Sequence, residues 1–157
     1  MLVAVACVLA LAVAPVPPDN SDNAKALKAL QGRWKLVAGE ERGEAGRADD
    51  FGTQDIVVKD VTLTRLEKGK ERDRFTIKFD LSKFPAHLDL VEQGKTNPGT
   101  CHAIYKCEGD RLTICFAGRL SPSEAELRPT EFKTGPSDQR PPKGKLMYTF
   151  ERVKDKD

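Results

Sequence analysis

Residues 74–81 read RFTIKFDL, and the strict alternation of this stretch decides the fold class. Phe75, Ile77, Phe79 and Leu81 take every second position, and Arg, Thr, Lys and Asp lie between them. Successive side chains of a β-strand point to opposite faces of the sheet. The pattern therefore predicts a strand with one face in an apolar core and the other in water.

Stretches of the same kind lie on both sides of it, separated by clusters of Gly, Pro, Asn and Asp that predict turns. The further predicted strands are one marked by Trp34, Leu36 and Ala38, residues 56–58, residues 61–66, one marked by Leu88 and Leu90, residues 101–107, residues 111–117 and residues 145–154. The predicted inward-facing residues are Leu36, Phe75, Ile77, Phe79, Tyr105, Ile114, Phe116, Tyr148 and Phe150.

The tripeptide Glu-Gly-Asp at residues 108–110 predicts a hairpin between two of these strands. A two-residue loop there pairs Tyr105 with Ile114 on the inner face and leaves Cys115 on the outer face. A disulfide needs two β-carbons about 4 Å apart on one face. The predicted register therefore excludes a bridge between Cys115 and Cys107, which points inward.

The fold class that follows is all-β, an antiparallel up-and-down barrel of about eight strands with a short N-terminal helix. A single sheet of that size must curl or split to bury one apolar face, and closure removes its exposed edges. The helix is predicted over residues 23–31, capped by Ser21 or Asp22 and ended by Gly32. The alternative is a β-sandwich in which Trp34 is an ordinary core aromatic residue.

Gly32-Arg33-Trp34 opens the first strand directly after that helix and resembles the lipocalin signature. In lipocalins the Trp closes the barrel floor and an Arg from the last strand stacks on its indole ring. Arg152 lies on the last predicted strand, in phase with the inward-facing Tyr148 and Phe150. The resemblance thus implies that Gly32, Trp34 and Arg152 close one end of the barrel.

Three blocks of sequence resemble an uncharacterised family of short exported proteins that is abundant in planctomycete bacteria. The blocks are LQGRWKLV at residues 30–37, YKCEGDRLTICF at residues 105–116 and RPTEF at residues 128–132. The resemblance implies a lipocalin-like fold and export, and it brings no established activity with it.

Residues 1–14 carry no charged side chain, and residues 2–13 have the length of a signal-peptide core, which is too short to span a membrane. We therefore predict a signal peptide at residues 1–14, a flexible tether at residues 15–22 and the barrel domain at residues 23–154. The expected location is outside the cytoplasm, in the periplasm, in the cell envelope or secreted, with no membrane span after removal of the leader. Two alternatives are a buried N-terminal helix or strand and a lipid anchor at Cys7.

The charge pattern argues against a nucleic-acid partner. The chain has 26 Lys and Arg against 24 Asp and Glu, and the two signs are interspersed along it. No basic stripe or basic-aromatic cluster suited to phosphates and bases stands out. No cofactor is predicted either.

No catalytic or metal-binding constellation appears in the sequence, so the chain is predicted not to be an enzyme. Cys101, His102 and Cys107 are spaced wrongly for a zinc cluster, and on a strand His102 faces away from both thiols. The acidic pairs at residues 40–41 and 49–50 are interpreted as parts of a solvated, glycine-containing loop.

Two functional hypotheses follow, one for the interior of the barrel and one for its surface. In the first, the barrel holds a small apolar or amphipathic ligand, which requires an internal cavity of roughly 300 Å³. In the second, the protein is a structural or interaction domain of the cell envelope that acts through the proline- and charge-containing residues 121–144.

Overall fold

The computed structural model describes residues 20–52, 54–117, 128–135 and 144–154. The predicted signal peptide at residues 1–14 lies outside the described residues, as do Cys7, the polar stretch at residues 121–126 and most of the predicted loop at residues 135–144.

The N-terminal helix α1 spans Asn20–Leu30. It begins before the predicted start at residue 23, so the predicted cap is wrong: Ser21 and Asp22 lie within the helix, and the last part of the predicted tether is helical. An acidic residue in the first turn is favourable because the helix dipole places partial positive charge there. Leu27 and Leu30 of α1 pack against the barrel core and place the helix across one end.

The rest of the described chain forms one antiparallel sheet with a single 3₁₀ turn. The strands are β1 (Gly32–Glu41), β2 (Glu44–Arg47), β3 (Gln54–Lys59), β4 (Thr62–Glu67), β5 (Lys70–Asp80), β6 (His87–Glu92), β7 (Thr100–Glu108), β8 (Arg111–Ala117) and β9 (Lys145–Arg152), with the 3₁₀ turn Ala48–Phe51 between β2 and β3.

Pairing between β1 and β9 closes the sheet into a barrel of eight strands, with β2 as an extra strand. From β3 to β9 each strand pairs with the next along the chain. The long strand β1 pairs on its other side first with β3, through Gly32 to Lys35, and then with β2, through Ala38 to Glu41. The predicted up-and-down barrel is confirmed, and the β-sandwich alternative is wrong.

The β7–β8 hairpin has the predicted register. Tyr105 lies opposite Ile114 and Cys107 lies opposite Leu112, as a two-residue loop at Gly109 and Asp110 requires. Cys115 is on the outer face. It is a free thiol, and the inward-facing Cys101 and Cys107 are free thiols too.

All of the predicted inward-facing residues belong to the core of the barrel or pack directly against it. The members that are most buried are Leu36, Ile77, Tyr105, Ile114 and Phe150. Burial of such side chains contributes about 1.5–3 kcal/mol each relative to an exposed position. The core is therefore the main source of stability, as expected of a chain whose described cysteines form no disulfide.

The acidic pair at residues 40–41 is not in a loop, which corrects the prediction. Glu40 and Glu41 end β1 and pair with β2, and the pair at residues 49–50 lies in the 3₁₀ turn. Gly39 leaves room for Phe51, because a β-carbon built at position 39 would lie 2.5 Å from the Phe51 ring. The aromatic ring therefore packs directly on the backbone of β1.

Residues 128–135, which we call the strap, cross the outer face of the barrel. Outward-pointing side chains beneath it, such as Ile104 and Cys115, are fully buried although their strand positions face away from the core. Near the C-terminal end of the strap, the Thr134 hydroxyl donates to Glu40 Oε1 at 2.7 Å. This described part of residues 121–144 is thus packed on the barrel wall.

Candidate functional site

One end of the barrel is closed by Trp34 and Arg152. The two residues are direct partners in the β1–β9 ladder, and the Arg152 guanidinium carbon lies 4.1 Å from the centroid of the indole ring. Trp34 is fully buried, and its Nε1–H donates to the Leu30 carbonyl at 2.8 Å. The indole thus fastens the end of α1 to the barrel floor.

Arg152 completes this floor by binding the C-terminal carbonyls of α1. Its Nη2 donates to the Ala29 carbonyl at 2.7 Å, its Nη1 donates to the Gln31 carbonyl, and its Nε donates to Asp110 at 3.1 Å. Gly32 has a φ of 108°, a region that favours glycine. The three residues predicted to close the barrel therefore lie together, at an end sealed by α1.

The opposite end of the barrel contains a cavity of about 320 Å³ that is open to solvent. Its wall is mainly apolar and comes from seven of the strands. The apolar lining consists of Ile56, Leu63, Phe75, Leu90, Cys101, Ile114, Phe116, Ala117, Leu146, Tyr148 and Phe150. The volume lies at the lower end of the range of small-molecule pockets.

An inward-pointing ion pair lies at the mouth of this cavity. Arg65 on β4 and Asp73 on β5 are direct cross-strand partners, and Arg65 Nε donates to Asp73 Oδ2 at 2.8 Å while Nη2 donates to the same oxygen. The only other charged residue among the described lining residues is Glu92, whose Oε2 accepts the Gly99 amide at 3.1 Å.

Tyr148 connects the apolar wall to this polar rim. Its ring makes edge contacts with Phe116 at 5.3 Å and with Phe51 at 5.8 Å between centroids. Gln54 lines the cavity as well, and its Nε2 donates to the Phe51 carbonyl at 3.0 Å. Burial, followed by the negative charge of Glu41, raises the pKa of Tyr148, so the hydroxyl is protonated at neutral pH and can donate a hydrogen bond.

The thiol of Cys101 forms part of the cavity wall. Burial raises its pKa to about 12, with a smaller contribution from the charge of Asp89. A thiol acts as a nucleophile only as the thiolate. At neutral pH the Cys101 thiol is therefore protonated and contributes apolar surface to the cavity.

The residues considered for zinc do not come together. His102 points outward and pairs with Asp89, whereas Cys101 pairs with Leu90 on the inner face. His102 Nδ1 lies 2.9 Å from Asp89 Oδ1 and 3.1 Å from Arg128 Nη2 of the strap. Within residues 20–52, 54–117, 128–135 and 144–154, no three His, Cys, Asp or Glu side chains are grouped to hold a metal.

Sequence reasoning missed the charged rim of the cavity. It gave no role to Arg65, or to Asp73, which lies between the predicted strands at residues 61–66 and 74–81. The available signal was strand parity, because Arg65 is two residues after the inward-facing Leu63 and Asp73 is two residues before the inward-facing Phe75. Both positions therefore face the interior, where a charged side chain needs a partner.

Helix α1, the α-helix of the described part of the chain, has 11 residues and is far too short to cross a bilayer. No protein-family model, no curated protein and no solved structure matches the chain. The resemblance to lipocalins and to exported planctomycete proteins stays a prediction from the residues quoted above.

Proposed function

We propose that this protein is an exported, non-enzymatic binding protein that holds a small apolar or amphipathic molecule inside its barrel. The observation that carries the proposal is the apolar cavity of about 320 Å³ with a polar rim. Clefts of this kind, with a largely apolar wall and a few polar groups, are the usual sites for small molecules.

The interior of the barrel supports this function because space is left open in it beside bulky side chains. Phe75, Phe116 and Phe150 all line it, yet they do not fill it. Side chains that face an unfilled apolar space lose the dispersion contacts that a close-packed core would give. A ligand with an apolar portion would restore those contacts.

The polar lining groups support binding rather than catalysis. Arg65 is paired with Asp73, and the Cys101 thiol is protonated at neutral pH. A general base or nucleophile needs a group poised to exchange a proton near the working pH. The export part of the proposal is supported by the apolar, uncharged residues 1–14.

A matched pair of tryptophan variants tests the binding site. Leu90 points into the cavity on β6, and its neighbour Val91 points outward on the same strand. Leu90→Trp fills cavity volume, whereas Val91→Trp adds a similar bulk outside. Titration of both variants and the wild type with phenylnaphthylamine, a neutral apolar fluorophore, reports occupancy of the cavity.

We expect saturable binding by the wild type, binding within about twofold of it for Val91→Trp, and binding about tenfold or more weaker for Leu90→Trp. Circular dichroism and thermal melting identify a variant that does not fold. If Leu90→Trp does not fold, Leu63→Trp on β4 takes its place, and the outward-facing Thr64→Trp becomes the control. No saturable binding by the wild type, or equal binding by folded Leu90→Trp, would contradict the proposal.

A further inference from the structure

We propose that the cavity selects molecules with a neutral or cationic head group and discriminates against carboxylates such as fatty acids. This inference rests on the proposed binding function and adds the chemistry of the ligand's polar end. It follows from the charges at the mouth of the barrel, where an amphipathic ligand would place its head group.

The positive charge at the mouth is already neutralised. Arg65 is the only basic side chain among the described lining residues, and two of its nitrogens donate to Asp73 Oδ2. A bidentate guanidinium is the usual protein partner for a ligand carboxylate. To bind one here, Arg65 would have to give up Asp73 and leave that carboxylate uncompensated.

The remaining charge of the described cavity lining is negative, because it belongs to Glu92 on β6. Arg65 contributes one positive charge, and Asp73 and Glu92 contribute two negative charges, which gives a formal balance of −1 among the charged lining residues. An incoming carboxylate would be repelled, whereas an ammonium group would be attracted.

The other groups at the mouth fit the same kind of head group. The Tyr148 hydroxyl is protonated and can exchange a hydrogen bond with an alcohol or an amine. Phe75 and Phe116 line the cavity, and aromatic rings attract cations over their faces. The apolar portion of the ligand would then occupy the interior beside Leu90 and Phe150.

Displacement of bound phenylnaphthylamine by three eight-carbon compounds tests this selectivity. Octanol, octylamine and octanoate share one apolar chain and differ in the charge of the head group at neutral pH. We expect octanol and octylamine to displace the fluorophore, and octanoate to require a concentration about tenfold or more higher than octylamine. Raising the salt concentration should narrow this ratio because it screens the charges.

A charge-neutralising variant and a matched control locate the cause. Glu92→Gln keeps the size of the side chain and the acceptor for the Gly99 amide. We expect it to reduce severalfold the ratio of the octanoate concentration to the octylamine concentration that displaces the fluorophore. The control is Glu71→Gln on β5, an exposed residue paired with Arg74 at 2.6 Å, which should leave the ratio unchanged.

The outcomes separate the two proposals. Failure of all three compounds and of the fluorophore to bind would contradict the binding function itself. Binding of octanol with equal affinity for octanoate and octylamine would overturn the selectivity while leaving the binding function in place. An unchanged ratio in folded Glu92→Gln would also overturn the selectivity as assigned to this carboxylate.

Discussion

Arg152 joins three parts of the molecule through a single guanidinium group. It stacks on Trp34, it binds the last carbonyls of α1, and it pairs with Asp110 in the β7–β8 turn. Each nitrogen of the guanidinium has its own acceptor, a geometry that a lysine cannot reproduce. The residue therefore holds the helix, the first strand and the last strand in one arrangement.

Removing this side chain should destabilise the protein substantially. For Arg152→Ala we expect a loss of about 2–3 kcal/mol in the free energy of unfolding, because helix carbonyls lose charged donors and the indole loses its cation. Arg152→Lys should retain only part of the stability that Arg152 provides. Urea denaturation followed by circular dichroism measures the change.

The matched control is Arg33→Ala, which removes an exposed arginine at the other face of β1. Arg33 donates to Asp55 at 2.6 Å but makes no such contact with the helix end. Exposed pairs contribute about 0–1 kcal/mol, so the control should change stability little. An Arg152→Ala variant as stable as Arg33→Ala would show that the floor does not depend on the guanidinium.

The buried thiol of Cys101 predicts a loss of stability in alkaline solution. Its pKa is about 12 in the folded protein against an ordinary value of 9.0. Below pH 9 the thiol is protonated in both the folded and the unfolded protein, so it does not make the free energy of unfolding depend on pH. Above pH 9 the thiol ionises in the unfolded chain first, and the free energy of unfolding falls as the pH rises toward 12.

Cys101→Ser should flatten this dependence. Between about pH 8 and pH 10.5 we expect the variant to lose about 2 kcal/mol less than the wild type, as measured by denaturant unfolding at each pH. Cys107→Ser is the control, because Cys107 is only half-buried and should give a smaller difference. Parallel pH profiles of wild type and Cys101→Ser would rule out the buried, protonated thiol as a cause.

At the residue scale, strand parity predicted most of what the structure contains. It assigned Phe75, Ile114 and Tyr148 to the interior and Cys115 to the outer face, because alternation depends only on the geometry of the strand. It could not predict that Arg65 and Asp73 neutralise each other at the mouth. That contact depends on which positions become cross-strand partners, and a bulge between β4 and β5 shifts their register.

The strap shows how an irregular segment can stabilise the outside of a barrel. Arg128 Nη1 donates to the Ala103 carbonyl at 2.6 Å, and Nη2 donates to Asp89 Oδ1 at 2.6 Å. Further along the strap, the Lys133 backbone amide donates to the Glu131 carbonyl at 2.9 Å, and Pro129 is fully buried. A second small core thus lies between the strap and the outer faces of β7 and β8.

Releasing the strap should expose Cys115. Arg128→Ala removes the cation beside Asp89, and we expect a loss of about 2–4 kcal/mol in the free energy of unfolding. Modification of Cys115 by a maleimide should become about tenfold or more faster, because its cover is loosened and its pKa, raised to about 11 by burial, falls. Peptide mapping by mass spectrometry identifies the modified thiol.

Cys101 serves as the internal control in the same experiment, since it faces the cavity on the other side of the wall. Its modification rate should stay unchanged. A similar increase at both thiols would instead indicate general unfolding. Arg74→Ala, which removes an exposed arginine on β5, should alter neither rate.

At the element scale, the strands with apolar alternation were predictable and β2 was not. Its sequence, EAGR, has no alternation of apolar and polar residues. It is a strand because β1 continues beyond its pairing with β3 and offers free backbone groups, and because Phe51 packs over Gly39. Such a strand is specified by its neighbours, which a local pattern does not contain.

At the scale of the whole molecule, closure was predictable and the cavity was not. The number of alternating strands requires a curled or split sheet, and Trp34 with Arg152 indicated which two strands meet. The volume left inside depends on how bulky residues pack against one another in three dimensions. The inward-facing aromatic residues take up much of the interior, yet about 320 Å³ stays open beside them.

The pairing of the first strand with the last also sets the order in which the chain can mature. Arg152 and the Gln31 carbonyl that it binds are 121 positions apart, so the seam forms only after the chain through β9 is available. Contacts of such long range slow folding. Until β9 arrives, the nascent sheet has two unpaired edges that can recruit other chains. The interval just before completion is therefore when this protein is most vulnerable to aggregation.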